Sequence, residues 1–231
     1  MRLQGLAQVR PWAQIFFGEE NLVPAQLLYF ADPMCSWCWG FDPIWRAVRA
    51  EFSERLRPVL IMGGLRPYTE TPMTAGDRME VREHWTHVAE ASGQPFDFAF
   101  FERKTFTYDT EPAARAVVTM GALQGAPAFT FFSAVQRAFY AENRDVTAEA
   151  VLLELAQAEG ADPAEFLSVF ASPEAQKETL AHFQAAQRLG VSGFPTLVAT
   201  NAEGEGEAVA AGYAPYPAVR ERIEAFLAAD D

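Results

Sequence analysis

Cysteine is nearly absent from this sequence, with two residues in 231, Cys35 and Cys38. One possible intramolecular disulfide excludes a small secreted scaffold stapled by several bridges. Positive charge is also scarce. Eighteen Lys and Arg against 31 Asp and Glu leave a formal charge of −13. That balance argues against nucleic acid, whose binding rests on basic side chains neutralising phosphates, and against anionic membrane surfaces. No apolar run approaches the length of a membrane span. Near the N-terminus, Gln4, Gln8 and Gln14 interrupt any signal-peptide core that Arg2 and Arg10 could flank. The expected compartment is the cytoplasm, where cellular reductants hold most cysteines as thiols.

What is abundant is apolar surface. Half of the residues are hydrophobic and 13% are aromatic, enough to bury a sizeable core without covalent help. Residues 26–32 form a short apolar run suited to a buried strand, closed by Asp32-Pro33. Phe41, Ile44, Trp45, Val48 and Phe52 then recur at helical spacing. Pro58-Val59-Leu60-Ile61-Met62 reads as a second strand ending at Gly63-Gly64. Strand, helix, strand within forty residues is a βαβ unit. At the other end, Thr196–Thr200 and about 207–213 read as strands around the turn Asn201–Gly206. Val219, Ile223, Phe226 and Leu227 mark a closing helix. The expected fold class is α/β, a small mixed sheet of βαβ and ββα halves with a large helical insertion.

Helices are predicted over 74–92, 111–124, 127–143, 147–159, 163–170 and 172–189. Thr147, Asp162 and Ser172 serve as start signals, the last two before proline, and Gly160 and Gly190 as stops. The domain assignment is an N-terminal extension over 1–25, a discontinuous sheet domain over 26–64 and 190–231, and a helical domain over 65–189.

The two cysteines stand as Cys35-Ser36-Trp37-Cys38 at the strand-to-helix junction. A thiolate is the attacking species in disulfide exchange. Cys35 is the better nucleophile because it precedes the helix, whose unpaired N–H groups favour negative charge. Cys38 lies one turn further in, where it can resolve a mixed disulfide. Asp42-Pro43 is an alternative helix start. Placing Cys35 at the helix N-terminus therefore requires a helix that begins at Ser36 and bends at Pro43. Trp37 and Trp39 suit an apolar rim, although Trp39 equally suits the core. Asp32 could tune the pair or accept a proton, or could simply end the strand as a turn residue. Gly193-Phe194-Pro195-Thr196 places a proline where a strand start tolerates one.

These motifs together resemble the DsbA family of thioredoxin-fold proteins, and within it the FrnE-like bacterial branch of protein-disulfide isomerases or thiol oxidoreductases. The resemblance runs from about residue 26 onward. It is carried by Asp32–Phe41, Gly63-Gly64-Leu65-Arg66-Pro67, Tyr108-Asp109-Thr110-Glu111-Pro112 and Gly190–Thr196. It implies a thioredoxin-like fold, Cys35 as nucleophile, Cys38 as resolving thiol, and Pro195 as a cis-proline facing them beneath a helical cap. Trp37, Phe194 and Pro195 would line the path of a protein or peptide substrate. Glutathione or a thioredoxin-type protein is the expected redox partner, and no organic cofactor is required. The Ser36-Trp37 dipeptide lacks the histidine of the strongly oxidising relatives, so the direction of exchange is left open.

Two competing readings remain at the sequence level. Kappa-class glutathione transferases and 2-hydroxychromene-2-carboxylate isomerases share the scaffold but use a serine where Cys35 stands, with no need of a second thiol. A non-enzymatic redox sensor or zinc module could recruit His84 and His87 beside the two thiolates. Retention of both thiols favours dithiol exchange.

Overall fold

The computed structural model describes residues 25–123 and 128–230. The extension assigned to 1–25 therefore falls almost wholly outside the described residues. β1 (Gln26–Ala31), α1 (Ser36–Phe52) and β2 (Arg57–Met62) form the first unit. After β2 come α2 (Ala75–Ser92), a 3-10 segment (Phe98–Glu102), α3 (Glu111–Ala122), α4 (Ala128–Tyr140), α5 (Glu149–Ala158), α6 (Pro163–Phe170) and α7 (Pro173–Arg188). β3 (Thr196–Thr200), β4 (Gly206–Ala211) and α8 (Tyr216–Asp230) complete the chain.

The strands form one sheet in the order β2-β1-β3-β4. β1 pairs parallel to β2 and antiparallel to β3, and β3 pairs antiparallel to β4. All six residues of β1 are buried, as befits a central strand covered on both faces. Strand periodicity divides its side chains. Leu27 and Tyr29 join the large core under α1, whereas Leu28 and Phe30 meet Ile61, Val198 and Ala186 on the α7 side.

α1 runs unbroken from Ser36 through Pro43. Asp42 is not a cap; its carboxylate accepts from Ser133 on α4 and faces Arg46 at 3.4 Å. Proline has no N–H to offer the carbonyl of Trp39. The Gln94 side-chain amide bonds that oxygen instead, at 3.0 Å. A neighbouring loop thus supplies the donor that the sequence withholds, and the helix can begin at the cysteines.

Most element boundaries lie within a few residues of those predicted. Asp162 and Ser172 cap their helices, accepting from Glu165 N–H and Ala175 N–H. Gly160 and Gly190 follow the helix ends with φ of 91° and 69°, the left-handed values that glycine adopts freely. Thr147 is a correction. It caps nothing; its N–H and hydroxyl both bond the Asp145 carboxylate, and α5 starts two residues later.

The stretch between α2 and α3 shows no clear periodicity, and the structure explains why. Phe96, Phe98, Phe100 and Phe101 surround the buried Trp85 ring at 4.9–6.2 Å, with Phe139 and Tyr140 of α4 closing the cluster. Tilted and edge-to-face pairs of this kind favour a wrapped segment over a regular helix face. The cluster reaches the cysteine loop through Tyr108 and Tyr140.

β2 is an edge strand, and its open side is protected. Pro58 has no donor there, and Met62 N–H bonds His182 Nδ1 of α7 at 3.2 Å. Burial pushes the His182 pKa down to about 4, which keeps the imidazole neutral and able to accept.

A test follows from the Pro43 arrangement. Gln94→Leu strips the side-chain donor from the Trp39 carbonyl and should cost about 1–3 kcal/mol, read as a lower urea midpoint at unchanged slope. An unchanged midpoint would mean that the carbonyl is satisfied elsewhere.

Candidate active site

β1 ends at Ala31 and the chain turns through Asp32-Pro33-Met34, with Cys35 N–H donating to the Asp32 carbonyl at 3.1 Å. Cys35 is the N-cap residue of α1, with extended backbone (φ −94°, ψ 116°) and no side-chain capping bond. Its carbonyl accepts from Trp39 N–H at 3.1 Å, so the thiol stands at the open N-terminal end of the helix. Cys38 follows in the first turn. Both thiols are free.

The β1–β3 register sets Phe30 opposite Thr196. The residues leading into β3 therefore arrive at the sheet end where β1 releases the cysteine loop. Cys35 Sγ lies 3.6 Å from the Phe194 carbonyl oxygen, and the Phe194–Pro195 bond is cis. Gly212 N–H of the β4 end bonds the Pro195 carbonyl at 2.8 Å, tying this loop to the sheet. The Phe194 ring covers Gly63, where an added Cβ would come within 2.1 Å of ring carbons. Gly64 takes φ +72° against Phe183. The double glycine thus lets the segment after β2 pass under Phe194.

Three groups brace the cysteine loop from behind. The buried Asp32 carboxylate accepts from Met34 N–H at 2.9 Å and Leu65 N–H at 2.8 Å, and the Thr110 hydroxyl also reaches it. Thr110 Oγ1 accepts from Arg66 N–H, and Asp109 Oδ1 accepts from Tyr68 N–H and Glu111 N–H. The Tyr108 hydroxyl donates to the Met34 carbonyl at 2.7 Å and lies 3.3 Å from that of Tyr140. Residues 63–67 and 108–112, which carry the family resemblance without an evident role in the sequence, supply the walls that hold Asp32 and Met34. Thr110 precedes α3 but makes no capping bond.

The two sulfurs differ in access. Cys35 is 5% exposed and Cys38 fully buried. Burial raises the Cys38 pKa well above its usual value, reinforced by the hydrogen bond its thiol shares with Cys35 and by charge on Cys35. Burial also pushes the Asp32 carboxyl up to about 6, against the hydrogen bonds from Leu65, Met34 and Thr110 that favour its charged form.

Trp37 is half-buried, with its ring 5.7 Å from Tyr213. Phe194 is half-buried and Pro195 buried. Leu65, whose N–H bonds Asp32, and Tyr68, whose ring meets Phe183, are exposed at 41% and 55%. Trp39 belongs to the core; it stacks on Tyr140 and donates from Nε1 to the Pro95 carbonyl. His84 and His87 are exposed on α2, away from its buried Val81, Trp85 and Val88, and no cluster of three or more metal-ligating side chains occurs among the described residues. A cavity of about 390 Å³ lies beside Phe194 along the β3–β4 face, and one of about 590 Å³ along the β2 edge. Neither is lined by a cysteine.

A paired thiol at a helix start, facing a cis-proline loop on a β2-β1-β3-β4 sheet, defines a thioredoxin-like dithiol protein. The DSBA-like thioredoxin domain model matches residues 26–224, and the chain belongs to that family. Among solved structures, it is similar to a protein from Nitrosomonas europaea proposed to be a protein disulfide isomerase. The two share 39% identity at a TM-score of 0.84, over 90% of this chain and all of that one. It is also similar to the cytosolic disulfide reductase DsbM from Pseudomonas aeruginosa, with 28% identity and a TM-score of 0.72, over 87% of this chain and 98% of that one. Among curated proteins, the ClpXP adapter protein SpxH of Halalkalibacterium halodurans is 26% identical over 84% of this chain. The chain spans 64% of that protein's length.

Asp32 and His182 make opposite contributions to stability with pH. The neutral imidazole is favoured in the fold, so the His182 contribution is complete above pH 6.5 and is lost as pH falls toward 4. The neutral Asp32 carboxyl is favoured in the fold, so its contribution is complete below pH 3.8 and is lost as pH rises through 6. Each amounts to about 3 kcal/mol. Relative to wild type, His182→Gln should lose stability as pH rises from 4 to 6, and Asp32→Asn should gain it, in urea denaturation at each pH. Three parallel curves would contradict both assignments.

Proposed function

We propose that the protein is a thiol–disulfide oxidoreductase acting on protein or peptide substrates, with Cys35 as nucleophile and Cys38 as resolving thiol. The observation that carries this reading is the Cys35 sulfur, the more accessible of the two, 3.6 Å from the Phe194 carbonyl. Family membership supports dithiol chemistry.

In the reducing direction the Cys35 thiolate attacks one sulfur of a substrate disulfide, and the other sulfur leaves as a thiolate. Cys38 then attacks Cys35 Sγ, closes the Cys35–Cys38 disulfide and expels the second substrate thiolate, which takes up the proton that Cys38 gives away. Two electrons pass to the substrate, and glutathione or a thioredoxin-type protein returns them. Oxidation is the same sequence reversed. The substrate backbone runs along Phe194–Pro195, with Trp37, Tyr213, Leu65 and Tyr68 offering apolar surface to residues flanking its cysteine. We assign the activity to the cytosol, where DsbM, by its name, also works.

With oxidised glutathione or a disulfide-bonded peptide, the wild type should end as the Cys35–Cys38 disulfide. Cys38→Ser should stop at a mixed disulfide on Cys35, and Cys35→Ser should do nothing, as read by intact-mass spectrometry after acid quenching. If Cys38→Ser turned over at the wild-type rate, a monothiol, transferase-type reaction would replace this one. Equal and slow labelling of both wild-type thiols would leave a binding role of the adapter kind.

A further inference from the structure

Arg66 is a cation that the fold fixes in place without giving it an anion. Its N–H donates to Thr110 Oγ1 at 3.1 Å, and its carbonyl accepts from Thr110 N–H at 3.3 Å and from the Thr69 hydroxyl at 2.9 Å. Its guanidinium lies over the Tyr108 ring, 5.3 Å from the centroid. The residue is exposed, yet it enters none of the ion pairs among the described residues. The acids around it are engaged elsewhere. Glu111 pairs with Arg115 at 2.8 Å, Asp109 accepts from two backbone N–H groups, and Asp77 closes the capping box of Thr74. The Tyr108 ring also ties this charge to the cysteine loop. It presents a face to the guanidinium and its hydroxyl to the Met34 carbonyl at 2.7 Å, so one phenol and one peptide group separate Arg66 from Cys35. Leu65, the preceding residue, donates to Asp32, and Leu65 and Tyr68 are both exposed. The cation therefore stands in the wall of the dithiol loop, within an apolar strip.

We infer that Arg66 is a specificity residue that selects peptide substrates with acidic side chains beside the reacting cysteine. The inference rests on the dithiol reading above. Attraction to an aromatic ring uses none of the guanidinium's N–H donors. They stay available to a carboxylate, which an arginine can hold by two parallel bonds. The pinned backbone and the ring beneath limit the positions that the side chain must give up when it binds, so less freedom is lost than for a cation on an open loop. The rest of the molecule cannot supply this preference. A formal charge of −13 repels an acidic segment at long range, so any discrimination in its favour has to come from a local contact. A substrate cysteine held against Cys35 places its neighbours on either side along the wall, where Leu65 and Tyr68 meet their apolar parts and Arg66 meets a carboxylate. Exchange itself proceeds as written above; Arg66 changes which substrates reach it.

The experiment mixes reduced protein with disulfide-bonded dimers of one capped peptide, in which both neighbours of the cysteine are Glu, Gln or Lys. Loss of the reduced protein is followed by acid quenching and mass spectrometry. Comparing each variant with wild type on the same peptide cancels differences in the peptides' own thiol chemistry. A solvent-exposed ion pair is worth about two- to fivefold. Arg66→Gln should therefore lower the Glu-to-Gln rate ratio about two- to fivefold and raise the Lys-to-Gln ratio. Arg66→Lys keeps the charge and should recover most of the preference. The gap between wild type and Arg66→Gln should close as salt rises to about 1 M, where the Debye length is about 3 Å. An arginine that only braces its loop would slow all three peptides equally in Arg66→Gln. Both ratios would then keep their wild-type values, which overturns the inference while the dithiol reading stands. A wild type that exchanges with none of the peptides overturns both.

Discussion

Phe30 opposite Thr196 is the pairing on which the rest of the molecule depends. An antiparallel partner returns to the sheet end its neighbour has just left. The chain leaving β1 and the chain entering β3, about 160 residues apart in sequence, therefore meet at one edge. The first carries the dithiol and the second the Phe194–Pro195 bond. A slip of one residue would turn Tyr29 from α1 toward α7 and lift the Phe194 carbonyl away from Cys35. The alternation of Leu27, Tyr29 and Ala31 against Leu28 and Phe30, each set buried in its own core, prevents that slip. The meeting of the dithiol and the Phe194–Pro195 loop is a by-product of where hydrocarbon goes.

The same edge concentrates groups that a stable core would exclude. Asp32 keeps a carboxylate out of water at the sum of two backbone bonds and one from Thr110, and burial still outweighs them in setting its pKa. Cys38 and Tyr29 are polar groups with few partners. Such groups persist when surrounding structure over-determines them. The Trp85 aromatic cluster supplies that structure. It ends in Tyr140 and Tyr108, and the Tyr108 hydroxyl holds the carbonyl of Met34, the residue before Cys35. The helices between β2 and β3 thus fix the cysteine loop as well as cover it.

Much of this was legible in the sequence, for identifiable reasons. The strands, the six helices and the dithiol obey local rules: alternation, helical spacing, caps before proline, and a cysteine pair at a helix start. What escaped detection depends on contacts between distant segments. Gln94 can be matched to Pro43 only when the loop after α2 is known to lie on α1. Thr110 looks like an ordinary helix cap, yet its oxygen is taken by Arg66 N–H. Thr147 carries the same signature and serves Asp145 instead. Trp39 was open between rim and core because a helix wheel cannot say which neighbour arrives; Tyr140 and Pro95 decide it.

The identity of these neighbours bears on the direction of exchange. In the proposed reaction, oxidised and reduced forms differ only in whether the two sulfurs are bonded to each other, so the reduction potential measures how well the surroundings serve two separate sulfurs. The Phe194 carbonyl accepts from the Cys35 thiol, and hydrogen bonding from the Asp32 backbone favours an ionised Cys38. Each is an interaction that a disulfide cannot use as well, and each favours the reduced form. Burial and the Asp32 carboxylate act against it by penalising thiolate charge. Because about 30 mV is a tenfold change for a two-electron couple, the gain or loss of one such bond is enough to separate an oxidant from a reductant. This gives a physical reason for one scaffold to include both a disulfide reductase and a proposed isomerase among the proteins it resembles. The sheet and cap can stay constant while the few groups around the two sulfurs set the balance.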